Sequence, residues 1–229
     1  SIVPTDDKRL ARASSGRRFV PFLLFVAGLA VLFGKPLVLL ATTAATSELH
    51  SHILLIPFVF AYLVYLRRDR LPEISASSTK WSGPAFLAGT FCLVLSFAFP
   101  PLSQTLDPSD HLALTILAFV CFIAAGGFLT LGLAWMRALT FPFFFLLFVV
   151  PLPDTVAFWL ETASKLASAD MANLFFNLFG TPILRDGTVF QLPGIVIEVA
   201  QECSGIRSSL VLFITSLLVA NLFLHTTWR

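Results

Sequence analysis

The sequence predicts an all-α polytopic membrane protein, with about six transmembrane helices and a small external segment that contains a helix and a β-hairpin. Of its 229 residues, 57% are hydrophobic and only 12% are charged, whereas a soluble domain carries roughly twice that charged fraction. The apolar residues form long blocks that no water-soluble core of this size could bury. The lipid bilayer is therefore the expected main solvent.

Six apolar blocks each approach the roughly 20 residues needed to cross the hydrocarbon core of a bilayer. They cover residues 19–41, 52–66, 84–102, 111–133, 135–153 and 203–225. Prolines inside three of the blocks are compatible with spans, because neighbouring helices tolerate kinks. We expect one membrane domain over residues 1–229, with residues 1–18 as a basic cytoplasmic arm and residues 154–202 as the external segment.

The distribution of basic residues predicts the orientation. A path that alternates through the six blocks places most of the lysines and arginines on one side: Lys8, Arg9, Arg12, Arg17, Arg18, Arg67, Arg68, Arg70, Lys80, Arg137 and Arg229. The positive-inside rule makes that side cytoplasmic. Acidic residues dominate the other side, which is then external.

The external segment divides into a helical half and an extended half. Apolar residues recur every three or four positions over residues 155–179, which predicts a helix in the membrane interface that Gly180 and Pro182 terminate. Residues 183–185 and 188–191 then fit a hairpin around an Asp186-Gly187 turn. Residues 195–200 are β-branched and extended, and they lead to Cys203.

Composition excludes several classes of function. The three cysteines, Cys92, Cys121 and Cys203, are far apart and form no Cys/His cluster of the kind that binds zinc or haem, so we expect no metal and no cofactor. Outside the short N-terminal arm, nothing is basic enough to bind nucleic acid. Cys92 and Cys121 lie inside apolar blocks, where a cysteine usually serves as a small packing residue.

Cys203 differs from the other two cysteines because a helix is predicted to begin directly after it. The first turn of a helix offers unpaired N–H groups and the positive end of the helix dipole. A thiol at that position loses its proton more easily, since the thiolate is stabilised. Arg207 could add positive charge, although an interfacial anchor or a partner for Glu202 is the plainer role for it.

A nucleophilic cysteine generally needs a base or a proton shuttle, so the histidines come next. The predicted topology places His50, His52 and His111 on the external side with Cys203, and His225 on the cytoplasmic side. His52 opens the second apolar block. An interfacial polar role is the commoner one for a histidine at such a position.

The residues Glu202-Cys203-Ser204-Gly205-Ile206-Arg207-Ser208 resemble the signature of the exosortase/archaeosortase membrane transpeptidases. Other stretches agree in order: residues 51–66 with their basic end, the proline pair at 151–153, and the run from Gly180 to Cys203. The resemblance covers most of residues 45–225. Ile53 stands where the family commonly has a glycine.

The resemblance implies a cysteine protease and transpeptidase that cleaves PEP-CTERM-like C-terminal sorting signals of secreted proteins and transfers those proteins to an acceptor. Cys203 matches the position of the family's nucleophile. The resemblance also implies that the protein lies in the inner membrane of a prokaryotic cell, with Cys203 on the face toward the periplasm or outside. The family's catalytic arginine and histidine lie in later spans. The resemblance therefore implies a C-terminally truncated chain, whose partners for Cys203 would lie beyond Arg229.

Two other interpretations stay open. One is a non-enzymatic multi-span component of transport or exopolysaccharide export, although no apolar block carries a central ionisable residue of the kind found along transport paths. Lys35 is the nearest case, and it lies near the outer end of its block, where it can snorkel. The other is an inert fragment that keeps the nucleophile but lacks the groups that would activate it.

Overall fold

The computed structural model describes residues 20–46, 51–68, 79–97, 108–200 and 205–223. The chain forms two compact units, Ser1–Leu152 and Pro153–Arg229. Helices dominate both units, and the only sheet in the described residues has three strands. The helical fold class predicted from the sequence is thus confirmed, while the organisation as one domain stays a prediction.

The first unit contains seven described α-helices and two short 3₁₀ turns. The α-helices are α1 (Val20–Leu32), α2 (Gly34–Thr46), α3 (Ile56–Arg67), α4 (Thr79–Phe97), α5 (Pro108–Thr130), α6 (Leu133–Ala138) and α7 (Thr140–Leu146), and the 3₁₀ turns are Ser51–Leu54 and Leu147–Val149. Each predicted block in this part of the chain corresponds to helix, although several helices are shorter than the blocks. Short helices limit the number of spans that the structure supports.

Helix α5 forms the centre of the first unit. Its 23 residues are almost uniformly apolar, and Ile116 and Ala118 are fully buried. The ring of Phe122 on α5 lies 5.3 Å from that of Phe86 on α4, measured between ring centroids. A helix that is apolar all round is expected to be surrounded by other helices or by lipid.

The first apolar block, predicted as one helix, is two helices that meet at an angle of 76° between α1 and α2. The block contains Gly34 and Pro36 directly after the break, and these are the residue types at which helices kink. Phe33, at the corner, is buried and lies 5.5 Å from the ring of Phe119 on α5. The prediction of one helix is therefore wrong for this block, and the two helices count as one span only if that span is broken at Phe33.

Elsewhere in the first unit, Arg67 ties α3 to α6 and α7. Its Nη1 donates a hydrogen bond of 2.8 Å to the carbonyl oxygen of Ala138, the last residue of α6, and its guanidinium lies 6.0 Å from the ring centroid of Phe141. A cation at a helix C-terminus is favourable because the last carbonyl groups have no partner in the helix. Arg67 therefore joins the end of α3 to the junction between α6 and α7.

By length and composition, one helix among the described residues can cross a membrane alone, Ser109–Thr130 within α5. The number rises to three if each of two bent helix pairs counts as one span. One pair is α1 with α2, and the other is Thr140–Val149 with Asp154–Leu178. Helix α3 has 12 residues and is about 18 Å long, against a hydrocarbon core of about 30 Å. The structure is that of a membrane protein, but the predicted six spans are not confirmed.

The second unit contains two long helices and the small sheet. Its elements are α8 (Asp154–Leu178), β1 (Leu184–Asp186), β2 (Val189–Leu192), β3 (Ile195–Glu198) and α9 (Ile206–Phe223). The strands form an antiparallel meander in the order β1-β2-β3. The helix and hairpin predicted for the external segment are both present, whereas their external location stays a prediction.

Candidate active site

The segment that leads to Cys203 begins at the C-terminus of α8. Gly180 has a φ of +65°, a conformation that glycine adopts without the steric cost of a Cβ. The N–H of Thr181 donates to the carbonyl of Phe176 at 2.9 Å, and the N–H of Gly180 donates to that of Asn177 at 3.2 Å. These two bonds make a Schellman cap, so Gly180 terminates the helix as predicted.

The hairpin between β1 and β2 differs from the prediction by one residue. Asp186 pairs with Val189, so the turn residues are Gly187 and Thr188, not Asp186 and Gly187. Gly187 has a φ of +60°, and no non-glycine residue in the described chain has a positive φ. A two-residue turn with glycine first needs only that one positive φ, whereas an Asp-Gly type I′ turn would impose it on the aspartate as well.

Strands β2 and β3 are joined by Pro193 and Gly194, with Leu192 opposite Ile195. Gly194 has a φ of +90°, and proline followed by glycine is the usual pair for a type II turn. The N–H of Val199 donates to the carbonyl of Thr188 at 3.0 Å, which extends the ladder one residue beyond β3. The extended run predicted from Ile195 therefore exists as an ordered strand.

The sheet is anchored to α8 through its first two strands. Phe190 on β2 is 1% exposed, and its ring centroid lies 5.6 Å from that of Phe176 on α8. Arg185, opposite Phe190 on β1, stacks at 5.8 Å from that ring and pairs with Asp170 of α8, Nη2 to Oδ1, at 2.7 Å. One buried ring and one ion pair thus fix the approach to the cysteine.

The residues after the sheet were predicted to carry the nucleophile. Cys203, with Glu202 and Ser204, lies outside the described residues. On the far side, Gly205 has a φ of +64°, and its carbonyl accepts the N–H of Ser209 at 2.9 Å, so α9 begins at Ile206. The prediction that the helix begins directly after Cys203 is therefore corrected: the first helical residue stands three positions later, after a left-handed glycine.

The start of α9 has the properties that a cysteine nucleophile uses. The first-turn N–H groups of a helix have no carbonyl partner within that helix, and they point toward its N-terminal end. Gly205 supplies the positive φ that joins the cysteine segment to that end. Arg207 belongs to the first turn of α9.

Two of the four histidines, His52 and His111, lie in the part of the chain that the structure describes. His50 and His225 lie outside the described residues. His52 is half-buried in the 3₁₀ turn Ser51–Leu54, and its carbonyl accepts the N–H of Leu55 at 3.0 Å. His52 belongs to the first unit and the residues that flank Cys203 belong to the second, so a role for His52 stays a prediction.

His111 takes part in a polar cluster that was not recognised from the sequence. Its Nδ1 lies 3.5 Å from the Oγ of Ser96 on α4. Ser96 lies 3.3 Å, oxygen to oxygen, from Thr115, whose hydroxyl donates to the carbonyl of His111 at 2.8 Å. These residues line a cavity of about 500 Å³ that Lys35 also borders. The signal for the cluster was the presence of hydroxyl residues inside apolar blocks, since polar side chains in such segments need partners.

A larger cavity of about 770 Å³ lies among α1, α2, α3 and α5. Its lining is apolar and includes Phe22, Leu40, Phe119 and Val149. Among the lining residues that the structure describes, Tyr65 is the only one whose side chain carries a hydrogen-bonding group, so this cavity holds no pair of side chains that could act together as nucleophile and base. Neither cavity holds a metal-binding set, because the described residues contain no group of three or more His, Cys, Asp or Glu side chains placed to bind an ion.

The fold is that of a helical membrane protein in which a helix and a small sheet are followed in sequence by the cysteine segment and then by helix α9. The model of the transmembrane exosortase family matches residues 42–229, which includes the helices from α3 onward, the sheet and the cysteine motif. The chain belongs to the transmembrane exosortase family. No curated protein and no solved structure matches it significantly.

Proposed function

We propose that the chain is a membrane-embedded cysteine transpeptidase, which cleaves the C-terminal sorting signal of secreted proteins and transfers those proteins to an acceptor nucleophile. Membership of the exosortase family supports a sorting or transpeptidase role in general. The observation that supports the proposal is the order of the described elements around the cysteine. Strand β3 ends at Glu198 and α9 begins at Ile206 after a left-handed Gly205, so Cys203 stands in sequence between an ordered strand and a helix N-terminus.

The proposed reaction has two steps. The thiolate of Cys203 attacks the carbonyl carbon of the scissile peptide bond, the C–N bond breaks, and the leaving amine departs after it gains a proton. The product is a thioester between Cys203 and the secreted protein. An acceptor amine or other nucleophile then attacks the thioester, gives up its proton and releases the thiolate, so that no oxidant or reductant is needed.

The location of the reaction follows from the charge distribution. The cluster of basic residues before α1 and after α3 favours the cytoplasmic side of a prokaryotic inner membrane for those ends. Under the predicted topology residues 154–202 then lie at the periplasmic or outer face, where a secreted protein would meet them. A substrate with a membrane span next to its cleavage site would reach Cys203 without leaving the bilayer.

Replacement of the sulfur tests the proposal. The full-length protein that contains this chain is produced in membranes together with a secreted reporter that ends in a C-terminal sorting signal, and cleavage of the reporter is followed by immunoblot. We expect Cys203→Ala and Cys203→Ser to lower the cleavage rate at least about 10³-fold. The matched controls are Cys92→Ala and Cys121→Ala, because both are half-buried cysteines on helices of the first unit, and these should cleave at the rate of the parent protein.

Undiminished cleavage by Cys203→Ala would overturn the proposal. A thiol measurement gives an independent outcome, because a stabilised thiolate reacts faster with iodoacetamide at pH 7 than an ordinary cysteine does. Ordinary, slow alkylation of Cys203 together with no reporter cleavage would instead favour the non-enzymatic transport or export component.

A further inference from the structure

We propose that the free edge of β3, which ends five residues before the nucleophile in sequence, binds the substrate polypeptide as a fourth strand of the sheet. This inference rests on the proposed function, since it names how the substrate of that same site is held. It concerns backbone groups of described residues that face away from the sheet. Strand addition of this kind is a general mode of peptide recognition, in which backbone hydrogen bonds supply affinity and alternate side chains supply specificity.

The register identifies which backbone groups are available. In a two-residue antiparallel hairpin the residues that flank the turn form a hydrogen-bonded pair, and such pairs then alternate along the ladder. Leu192 and Ile195 are that first pair in the β2–β3 hairpin. The backbone of Ile197 therefore also points to β2, and that of Val199 is observed to do so. The N–H and C=O groups of Val196 and Glu198 consequently point away from β2.

No strand covers these groups in the part of the chain that the structure describes. Strand β3 is at the end of the strand order and pairs only with β2. No hydrogen bond of the described residues reaches the N–H or C=O groups of Val196 or Glu198. All four side chains of β3 are exposed, among them Ile195 at 57% and Val196 at 67%. Among the described residues, the edge is therefore open from Ile195 to Glu198.

The hydrogen-bonding groups of this edge favour a polypeptide over a lipid as the bound molecule. Two donor–acceptor pairs that repeat every second residue match the backbone of an extended polypeptide, and a lipid chain or headgroup cannot supply that repeat. The exposed isoleucine and valine side chains add an apolar surface for the alternate side chains of the bound strand. Apart from Glu198, this edge lacks the charged residues and prolines that usually protect a free strand edge from pairing.

The other edge of the sheet serves as an internal comparison. Strand β1 has three residues, and the same alternation leaves only the backbone of Arg185 pointing outward. The side chains of Arg185 and Asp186 place charge on that strand, and Arg185 is already bonded to Asp170. The two edges of one small sheet therefore differ, and the open one is the edge that continues toward Cys203.

The sequence distance bounds where on the substrate the pairing occurs. Glu198 precedes Cys203 by five residues, and five residues reach at most about 17 Å when extended. A peptide bond attacked by Cys203 therefore lies within about five residues of the segment that pairs with β3. The paired segment is then the extended part of the sorting signal next to the cleaved bond.

Proline substitution tests the edge without removing the sheet. Val196→Pro deletes an outward N–H and leaves the bonds between β2 and β3 intact, and proline is tolerated at such positions of edge strands. We expect kcat/KM for reporter cleavage to fall about 10-fold through a higher KM, while the rate of Cys203 alkylation and the thermal stability in detergent stay at the parent values. Ile197→Pro is the matched contrast, because it deletes an inward N–H and should lower stability as well.

Peptide substrates give the second arm of the experiment. In a set of peptides that each carry one N-methylated backbone amide, methylation at every second position of the paired segment should reduce cleavage. Methylation at the positions between them should leave cleavage unchanged. Cleavage by Val196→Pro within twofold of the parent, with Cys203→Ala inactive, would overturn strand addition and leave the proposed function standing. A shift of Val196→Pro from dimer to monomer would also overturn it, because a second copy would then be the occupant of the edge.

Discussion

Phe190 is the side chain that holds the sheet to α8, so its removal tests the architecture of the second unit. Its ring is 1% exposed and packs against Phe176 and Arg185. Truncation of a buried phenylalanine to alanine costs about 3–5 kcal/mol, which raises the population of the undocked sheet by a factor of about 150 to 5,000. We therefore expect Phe190→Ala to release the hairpin from α8 while α8 itself remains helical.

Amide hydrogen exchange in detergent micelles measures this release directly. The amides of β2 and β3 should exchange at least about 10²-fold faster in Phe190→Ala, and reporter cleavage should fall because the approach to Cys203 is no longer fixed. Phe175→Ala is the matched control: Phe175 is the neighbour of Phe176 on α8 but is 55% exposed, and its loss should change stability by less than about 0.5 kcal/mol. Equal exchange rates in the two variants would refute the claim that Phe190 anchors the sheet.

Three further substitutions test single contacts through thermal unfolding in detergent. Asp170→Asn should cost less than about 1 kcal/mol, because its carboxylate is 62% exposed and the ion pair is screened; a larger loss would show that the pair is effectively buried. Arg67→Met should cost about 1.5–3 kcal/mol through its lost charged hydrogen bond, and more than Arg68→Met, whose side chain is exposed. Gly126→Leu should cost about 1–3 kcal/mol by overpacking, because a Cβ there would fall 2.3 Å from the ring of a phenylalanine on α1. Gly28→Leu, which meets no atom within 4 Å, should be neutral.

Features set by neighbouring residues could be predicted from the sequence. The end of α8 was predicted because Gly180 permits the left-handed cap and Pro182 cannot continue a helix. The hairpin was predicted from the same kind of local signal, but its register was not. The observed register puts Arg185 opposite Phe190 and lets it reach Asp170, whereas the predicted one would put Ile183 there. That choice depends on a contact with Asp170, which precedes Arg185 by 15 residues.

Features set by the packing of distant segments could not be predicted. A hydropathy pattern reports composition over a window, so it did not separate α1 from α2 at Phe33, whose ring packs on α5. The cluster of Ser96, His111 and Thr115 depends on how α4 and α5 are rotated about their axes. Neither rotation is specified by the apolar pattern, because both helices are apolar on almost every side.

The arrangement of the sheet gives a physical reason for the open edge. Strands β1 and β2 carry the anchoring contacts to α8, through Arg185 and Phe190, and β3 carries none of the contacts described for that anchor. An incoming strand could therefore pair with β3 without displacing the residues that hold the sheet in place. Because that strand would be ordered by backbone bonds to Val196 and Glu198, the sheet would position a peptide of varied sequence. Discrimination between substrates would then depend on the alternate side chains of the substrate that contact the exposed face of β3. Val196→Thr should therefore change the relative cleavage rates of different peptides, while the backbone hydrogen bonds to the bound strand stay the same.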